Sequence, residues 1–238
     1  MSKKIQSFDE SAEVVVVLSG GVDSCVLMYY LVLELGKRQV SGIFLNYNQS
    51  NAQVTLDCVR SQIKDLSSKQ PGFECVLYEI ESFPWHSLSN IDENLHSYEQ
   101  VYDSKRSTEI KKETFISGRN SLIALAAMSR ADVLSVGEAW MSVQIDRPEW
   151  AAVQSYLLAG PKDITPQWVD RVNLLGEVSF QNLVRLRTPF LDLRWDKEDV
   201  VSLGKDLGVL FNLTYSCKYY PPCGSCQQCL IRSKFIKD

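Results

Sequence analysis

The chain has 238 residues, enough for one α/β domain with a small appended element, or at most two domains. Its 45% apolar and 23% charged residues suit a soluble protein with a sizeable core, and no apolar run approaches the roughly 18 residues of a spanning helix. A net charge of −4 speaks against extended binding to a polyanion, which needs clustered Lys and Arg to displace counterions.

Residues 14–18 form a continuous branched apolar run, the pattern of a central strand covered on both faces. Ser19-Gly20-Gly21-Val22-Asp23-Ser24 follows, and then Val26, Leu27, Tyr30, Leu31 and Leu33 recur at helical spacing until Gly36, a C-terminal stop. Residues 40–45 read as a second strand, 52–66 as a second helix and 73–80 as a third strand after Pro71-Gly72. A polar interval from Glu81 to Lys112, with Phe83, Trp85, His86, Tyr98 and Tyr102, breaks the rhythm and reads as an excursion near a site. The rhythm resumes with a short strand at 114–116, a helix over 120–130 and a strand over 133–136 that ends in Gly137. Pro148, Pro161 and Pro166 then punctuate helical patterns around 150–158 and 168–175. An extended segment at 186–191 and a helix at 199–207 complete the order. Strands alternating with helices imply a parallel sheet with helices on both faces, and in such sheets ligands bind at the carboxyl ends of the strands.

The glycine turn sits at such an end. Two glycines let the chain approach a phosphate with no Cβ in the way. The following helix presents its orphan N–H groups and the positive end of its dipole to the same spot. Ser19 and Ser24 add hydroxyl donors, and Asp23 is suited either to cap the helix or to hold a magnesium ion. The plain alternative is a turn that only joins a buried strand to a helix. No Gly-Lys-Ser/Thr follows as in a Walker loop. The stretch instead resembles the SGGxDS signature of the PP-loop ATP pyrophosphatases, which implies that ATP is consumed.

Of seven cysteines, four fall in the last 22 residues as Cys217, Cys223, Cys226 and Cys229. Four soft thiolates in the pattern C-x5-C-x2-C-x2-C match a closed tetrahedral zinc site, with Pro221, Pro222 and Gly224 supplying the turns. A full set of four leaves no position for water, so the Zn²⁺ is expected to be structural. Met1 to Gln6 carry no hydrophobic signal core, so a cytoplasmic location is expected, where disulfides are disfavoured. Cys25, Cys58 and Cys75 read as buried packing residues, and Arg232, Lys234 and Lys237 as a solvated helix face.

With both motifs placed, the chain resembles the QueC family, the 7-cyano-7-deazaguanine synthases. Tyr47-Asn48-Gln49 stands where the family has Tyr-Gly-Gln, and 114–120 (Thr-Phe-Ile-Ser-Gly-Arg-Asn) resembles its Thr-Phe-Val-Pro-Gly-Arg-Asn. Residues 188–193 (Thr-Pro-Phe-Leu-Asp-Leu) resemble its Thr-Pro-Leu-x-Asp-Leu, with Lys197 in the helix start beyond. The blocks at 213–217 and 222–232 match its zinc end. This resemblance implies a five-stranded parallel sheet of the adenine-nucleotide α-hydrolase type over residues 1–184, followed by a small C-terminal helical and zinc-binding segment over 185–238.

It also implies chemistry. The carboxylate of 7-carboxy-7-deazaguanine attacks the α-phosphate of ATP, and ammonia captures the acyl-adenylate as an amide that a second activation converts to the nitrile. On this reading Ser19, Asp23, Ser24, Arg119 and Lys197 act in catalysis. Leu18, Ser19, Gly20, Gly21, Asp23, Ser24, Tyr47, Gln49, Gly118, Arg119, Asn120 and Gly137 line the ATP–Mg²⁺ site. Arg119 and Asn120 have a simpler role open to them as a helix-terminal Arg and an N-cap, and Asp192 and Lys197 as the cap and first turn of the next helix. A homodimer is a further expectation from the family.

The chain departs from the family after its fourth strand. Across 137–150 the family's Asn, Asp-Tyr, Tyr-Pro and Cys are missing and only the closing Asp146-Arg147-Pro148-Glu149-Trp150 is kept, while 161–173 reads as an insertion. These changes fall where the acyl substrate or its acceptor belongs. Either the pocket is rebuilt from Trp140, Met141 and Gln144, or the activated carboxylate meets an amine of a partner protein, as in family relatives associated with antiphage systems. A tRNA-modifying PP-loop enzyme is a third reading, against which the acidic charge balance stands.

Overall fold

The computed structural model describes residues 12–81, 118–144 and 164–236. Strand β1 (Val14–Val17) is wholly buried, because its four valines alternate between two apolar clusters on opposite faces of one sheet. Val14 and Val16 join the first cluster, and Val15 and Val17 the second. Four more strands pair parallel with it or with each other: β2 (Gln39–Leu45), β3 (Glu74–Ile80), β4 (Glu138–Trp140) and β5 (Arg185–Arg187). The order β3-β2-β1-β4-β5 reverses direction of growth at β1, so the topological switch lies between β1 and β4.

Helices α1 (Val22–Tyr29) and α2 (Ala52–Lys69) cover the first face with α6 (Lys197–Asp206). Helices α3 (Arg119–Val133) and α4 (Pro166–Ser179) cover the second. A short α5 (Pro189–Asp192), a 3₁₀ turn (Phe211–Leu213) and α7 (Gln227–Phe235) complete the described elements. Helix α1 runs into one π-helical turn at Tyr30–Glu34 before Gly36 stops it in the left-handed conformation. The five-stranded parallel sheet with helices on both faces is therefore present. The sheet takes its fifth strand from beyond residue 184.

Several local expectations change. The predicted strand at 133–136 is the end of α3 and its exit turn, and β4 begins after Gly137. The Val136 N–H returns to the Ala131 carbonyl and Ser135 takes a positive φ of 55°, a helix-terminating geometry that the apolar run conceals. The extended segment at 186–191 splits into β5 and the helical turn α5, which Pro189 opens at its first position. Cys25 is buried, but Cys58 and Cys75 are half-buried. Part of the stretch read as an insertion forms α4, whose Asn173 exchanges two hydrogen bonds with Leu186 and so closes the free edge of β5. The expectations for 114–117, 145–150, 150–158, His86 and Lys237 lie outside the described residues. No helix among the described residues is long and apolar enough to cross a membrane.

Gly204 matters for the site. A Cβ there would lie 2.8 Å from Val26 Cγ2 and 2.8 Å from Phe211 Cζ, so its absence lets α6 lie close against α1. The start of α6 is set by Asp196, which accepts from the Glu198 and Asp199 N–H groups while the Asp199 carboxylate accepts from the Asp196 N–H. Lys197 thus occupies the first helical position, on the element packed against α1.

Candidate nucleotide loop and metal centre

Ser19–Ser24 follows β1 directly and opens α1 at the carboxyl edge of the sheet, beside the switch between β1 and β4. Gly20 has φ +75°, and a Cβ on it would lie 2.2 Å from the Thr55 carbonyl oxygen. Glycine is required there twice over, for conformation and for space. The Ser24 Oγ accepts from the Ser19 N–H at 3.1 Å and lies 3.0 Å from the Ser19 Oγ, which ties the two ends of the loop together. Gly21 is the N-cap of α1 and receives no side-chain cap. Among the described residues, the first N–H groups of α1 therefore have no side-chain acceptor built in, the arrangement that suits an incoming anion.

Lys197 Nζ lies 2.5 Å from Asp23 Oδ1, with the side chains 16% and 27% exposed. Asp23 is not the helix cap. Asp192 is exposed at the end of α5 and is not the cap of α6, a role that belongs to Asp196, while Lys197 does stand in the first turn of that helix. Gly118 stands at the N-cap of α3 with φ 68°, and Arg119 and Asn120 form the first turn. Helix α3 leads into β4, which is parallel to β1, so its N-terminus lies at the same carboxyl edge as the glycine loop. Tyr47, Asn48 and Gln49 reach that edge from the end of β2. The Gln49 side chain accepts from the Tyr47 N–H at 2.8 Å. Asn48 takes φ 64°, which explains how it replaces the family's glycine, since Asn tolerates the left-handed region best among the other residues.

One expected ligand residue falls elsewhere. Gly137 precedes β4 and accepts from the Arg185 N–H, which puts it at the amino edge of the sheet. The register pairs Ala139 with Val15 and Trp140 with Val16, so it is Met141 that follows the carboxyl end of β4, with its N–H on the Arg187 carbonyl. Leu18 has its side chain in the core and its N–H bonded to the Ile43 carbonyl.

The four cysteines of the knuckle converge. The Sγ atoms of Cys217, Cys223, Cys226 and Cys229 all lie within 4.8 Å of one another. Cys217 Sγ is 3.6 Å from that of Cys223 and 3.9 Å from that of Cys226. Tetrahedral zinc with Zn–S bonds of about 2.3 Å requires sulfur–sulfur edges of about 3.8 Å. The N–H groups of Tyr219 and Cys223 point at Cys217 Sγ and that of Cys226 at Cys223 Sγ, donors that stabilise thiolates. Backbone hydrogen bonding, led by the Ser225 N–H, pulls the Cys223 thiol down to about 6, while burial pushes Cys229 up to about 12. The donor set and its spacing fit a metal that takes thiolates.

The segment leading into the knuckle is bonded to the glycine loop, and the knuckle itself to residues 50 and 51. The Tyr215 N–H donates to the Gly20 carbonyl at 2.9 Å. Asn51 Nδ2 donates to the Cys217 carbonyl at 2.7 Å and Ser50 Oγ to that of Lys218 at 3.1 Å. Arg232, read as part of a solvated face, instead donates to Thr214 Oγ1 at 2.7 Å and to the Phe211 carbonyl at 2.9 Å. None of these contacts has a motif of its own. They join segments far apart in sequence, and most use main-chain atoms.

A family model described as "Queuosine biosynthesis protein QueC" matches residues 13–238. The 7-cyano-7-deazaguanine synthase of Leptospira biflexa is 25% identical over 256 residues, which cover 98% of this chain and 94% of that protein. The synthase of the same name from Methanobrevibacter smithii is 25% identical over 232 residues, covering 94% and 92%. Among solved structures, the U34-tRNA thiolase NcsA from Methanococcus maripaludis is similar with a TM-score of 0.52 at 14% identity. That alignment covers 96% of this chain and 64% of the thiolase chain, and it is a likeness of fold.

Proposed function

The chain belongs to the QueC family, and we propose that it is an ATP-dependent ligase that converts 7-carboxy-7-deazaguanine to 7-cyano-7-deazaguanine. The observation that carries this reading is the glycine loop: a left-handed Gly20 and an uncapped α1 N-terminus at the carboxyl edge, beside the switch point. Such a loop suits the pyrophosphate that leaves when a carboxylate oxygen attacks the α-phosphate. Ammonia then attacks the acyl carbon, AMP departs, and the amide results. The amide oxygen then attacks the α-phosphate of a second ATP and releases a second pyrophosphate, and loss of AMP with that oxygen and of two N–H protons leaves the nitrile.

In this scheme the N–H groups of Gly21 and the first turn of α1 hold the pyrophosphate, with the Ser19 and Ser24 hydroxyls beside them. Lys197, paired with Asp23 in the first turn of α1, is drawn from that carboxylate toward the phosphates as their charge arrives. Arg119, at the start of α3, approaches the nucleotide from the neighbouring strand end. Mg²⁺ carried on the triphosphate would spread its negative charge, with Asp23 as the carboxylate available to it. Zinc held by Cys217, Cys223, Cys226 and Cys229 would fix the knuckle and take no part in the chemistry.

The test mixes the protein with ATP, Mg²⁺ and 7-carboxy-7-deazaguanine, with and without ammonium, and follows products by mass spectrometry. A nitrile that depends on ammonium is the expected product. An amide-linked mass on a protein would make the acceptor a protein amine. Absence of both a deazapurine product and nucleotide hydrolysis would overturn the substrate assignment.

A further inference from the structure

Arg232 lies one turn beyond Cys229 in α7 and reaches back to the segment that precedes the knuckle. Its Nη1 donates to Thr214 Oγ1 at 2.7 Å and to the Thr214 carbonyl at 3.3 Å, and its Nη2 to the Phe211 carbonyl at 2.9 Å. From the other side, Gln62 of α2 is fully buried and donates Nε2 to the Leu213 carbonyl at 2.8 Å. Two side chains from different elements thus hold residues 211 to 214 in one shape. The next residue is Tyr215, whose N–H donates to the Gly20 carbonyl at 2.9 Å.

That last bond has a consequence for the loop. The Gly20–Gly21 peptide is planar and trans, so its C=O and N–H point in opposite directions. Holding the Gly20 carbonyl on Tyr215 aims the Gly21 N–H the other way, toward Ser19 Oγ at 3.4 Å, inside the bend of the loop. Gly20 has no side chain with which to fix its own peptide, and its Cα faces the Thr55 backbone. Arg232 also lines a cleft with Lys197 and with Val22, the first residue of α1.

We propose that Arg232 is a positioning residue for the glycine loop: through Thr214 and Tyr215 it orients the Gly20–Gly21 peptide so that the Gly21 N–H faces the bound phosphate. The inference rests on the reading of Ser19–Ser24 as the phosphate-holding loop. It gives α7 a role in nucleotide binding that zinc ligation alone does not supply.

The experiment uses the full-length, zinc-loaded chain and three variants, Arg232→Met, Arg232→Lys and Thr214→Val. Calorimetry reads the Kd for ATP and for pyrophosphate alone, elemental analysis the zinc per chain, and amide hydrogen exchange the Tyr215 and Gly21 N–H groups in ligand-free protein. Arg232→Met is expected to weaken both ligands about tenfold, with zinc retained and Tyr215 exchange accelerated. Arg232→Lys is expected to recover part of the loss, because a single ammonium cannot bridge both residues as the guanidinium fork does. A folded, zinc-loaded Arg232→Met that binds ATP and pyrophosphate within twofold of the unaltered protein overturns the proposal. Should Arg232→Met fail to fold, Thr214→Val carries the test, and unchanged ligand affinity and Tyr215 exchange in that variant overturn it equally. If the unaltered protein binds neither ligand, the functional reading fails, while the exchange data still judge the link from Arg232 to Gly20.

Discussion

Lys197 and Asp23 meet as an ion pair at 2.5 Å across 174 positions of sequence, joining the first turn of α6 to the first turn of α1. Both side chains are partly shielded from water, so the pair is screened less than a surface one. In the proposed reaction the lysine exchanges a carboxylate for a polyphosphate. Lys197→Met is therefore expected to lower turnover by at least about tenfold, corresponding to about 1.4 kcal/mol of transition-state stabilisation. Steady-state assays of AMP release check this. A double-mutant cycle with Asp23→Asn, read by denaturant unfolding, should show a coupling of about 1 kcal/mol. Additive stability effects would mean that the contact contributes nothing in solution.

Two glycines of similar backbone conformation should respond differently to alanine. Gly20 and Gly36 have φ of +75° and +69°, but a Cβ on Gly20 strikes the Thr55 backbone whereas one on Gly36 meets nothing within 4 Å among the described residues. Gly36→Ala is expected to cost about 1 kcal/mol of stability and to leave ATP binding unchanged. Gly20→Ala should cost more and abolish ATP binding, because backbone cannot yield as a flexible side chain does. Thermal unfolding and calorimetry on the same samples separate the two effects.

The cysteine cluster should bind one metal per chain, and its removal should reach the nucleotide loop. Cys226→Ser, or a strong chelator, is expected to lower the unfolding temperature and to weaken ATP binding, since Cys217 follows closely on the Tyr215 that holds Gly20. Elemental analysis with a parallel ATP titration checks both. Loss of metal with unchanged ATP affinity would separate the knuckle from the loop.

Asp132 offers a test of pH dependence. It accepts from the Asn182 N–H at 2.7 Å and the Gln181 N–H at 3.3 Å, tying the loop before β5 to the end of α3. Chiefly the Asn182 N–H holds its carboxyl below the usual carboxylate range. A depressed folded-state value contributes stability that is present above the unfolded value near 4 and is lost as pH falls through the folded one. Asp132→Asn should therefore unfold at lower temperature than the unaltered protein at pH 7, and the gap should close as the pH drops below about 4. A gap independent of pH would show that the carboxylate charge plays no part.

Much of this arrangement is legible in the residues themselves. The valine run of β1 needs two covered faces, and the following Ser-Gly-Gly-Val-Asp-Ser needs a tight turn with exposed N–H groups. Both are properties of short segments, and both appear as expected. The four cysteines likewise converge because their spacing and turns permit little else. The expected strand at 133–136 failed for a local reason, since Val, Leu and Val serve a helix end as well as a strand when nearby carbonyls accept their N–H groups. Gly137 followed it to the wrong edge, because a ligand position inferred from a strand end moves with that end.

The glycine loop, the cysteine set and the kind of sheet are legible in the residues alone, since each depends on residue identity within a few positions. Packing between distant segments settles what stands around them. It placed Lys197 on Asp23, Tyr215 on Gly20 and Arg232 on the turn between. The Tyr215–Gly20 bond joins two main-chain groups that every non-proline residue carries, so no side chain announces it. The approach of α6 to α1 rests on a missing Cβ at Gly204, whose meaning exists only once Val26 and Phe211 are packed against it.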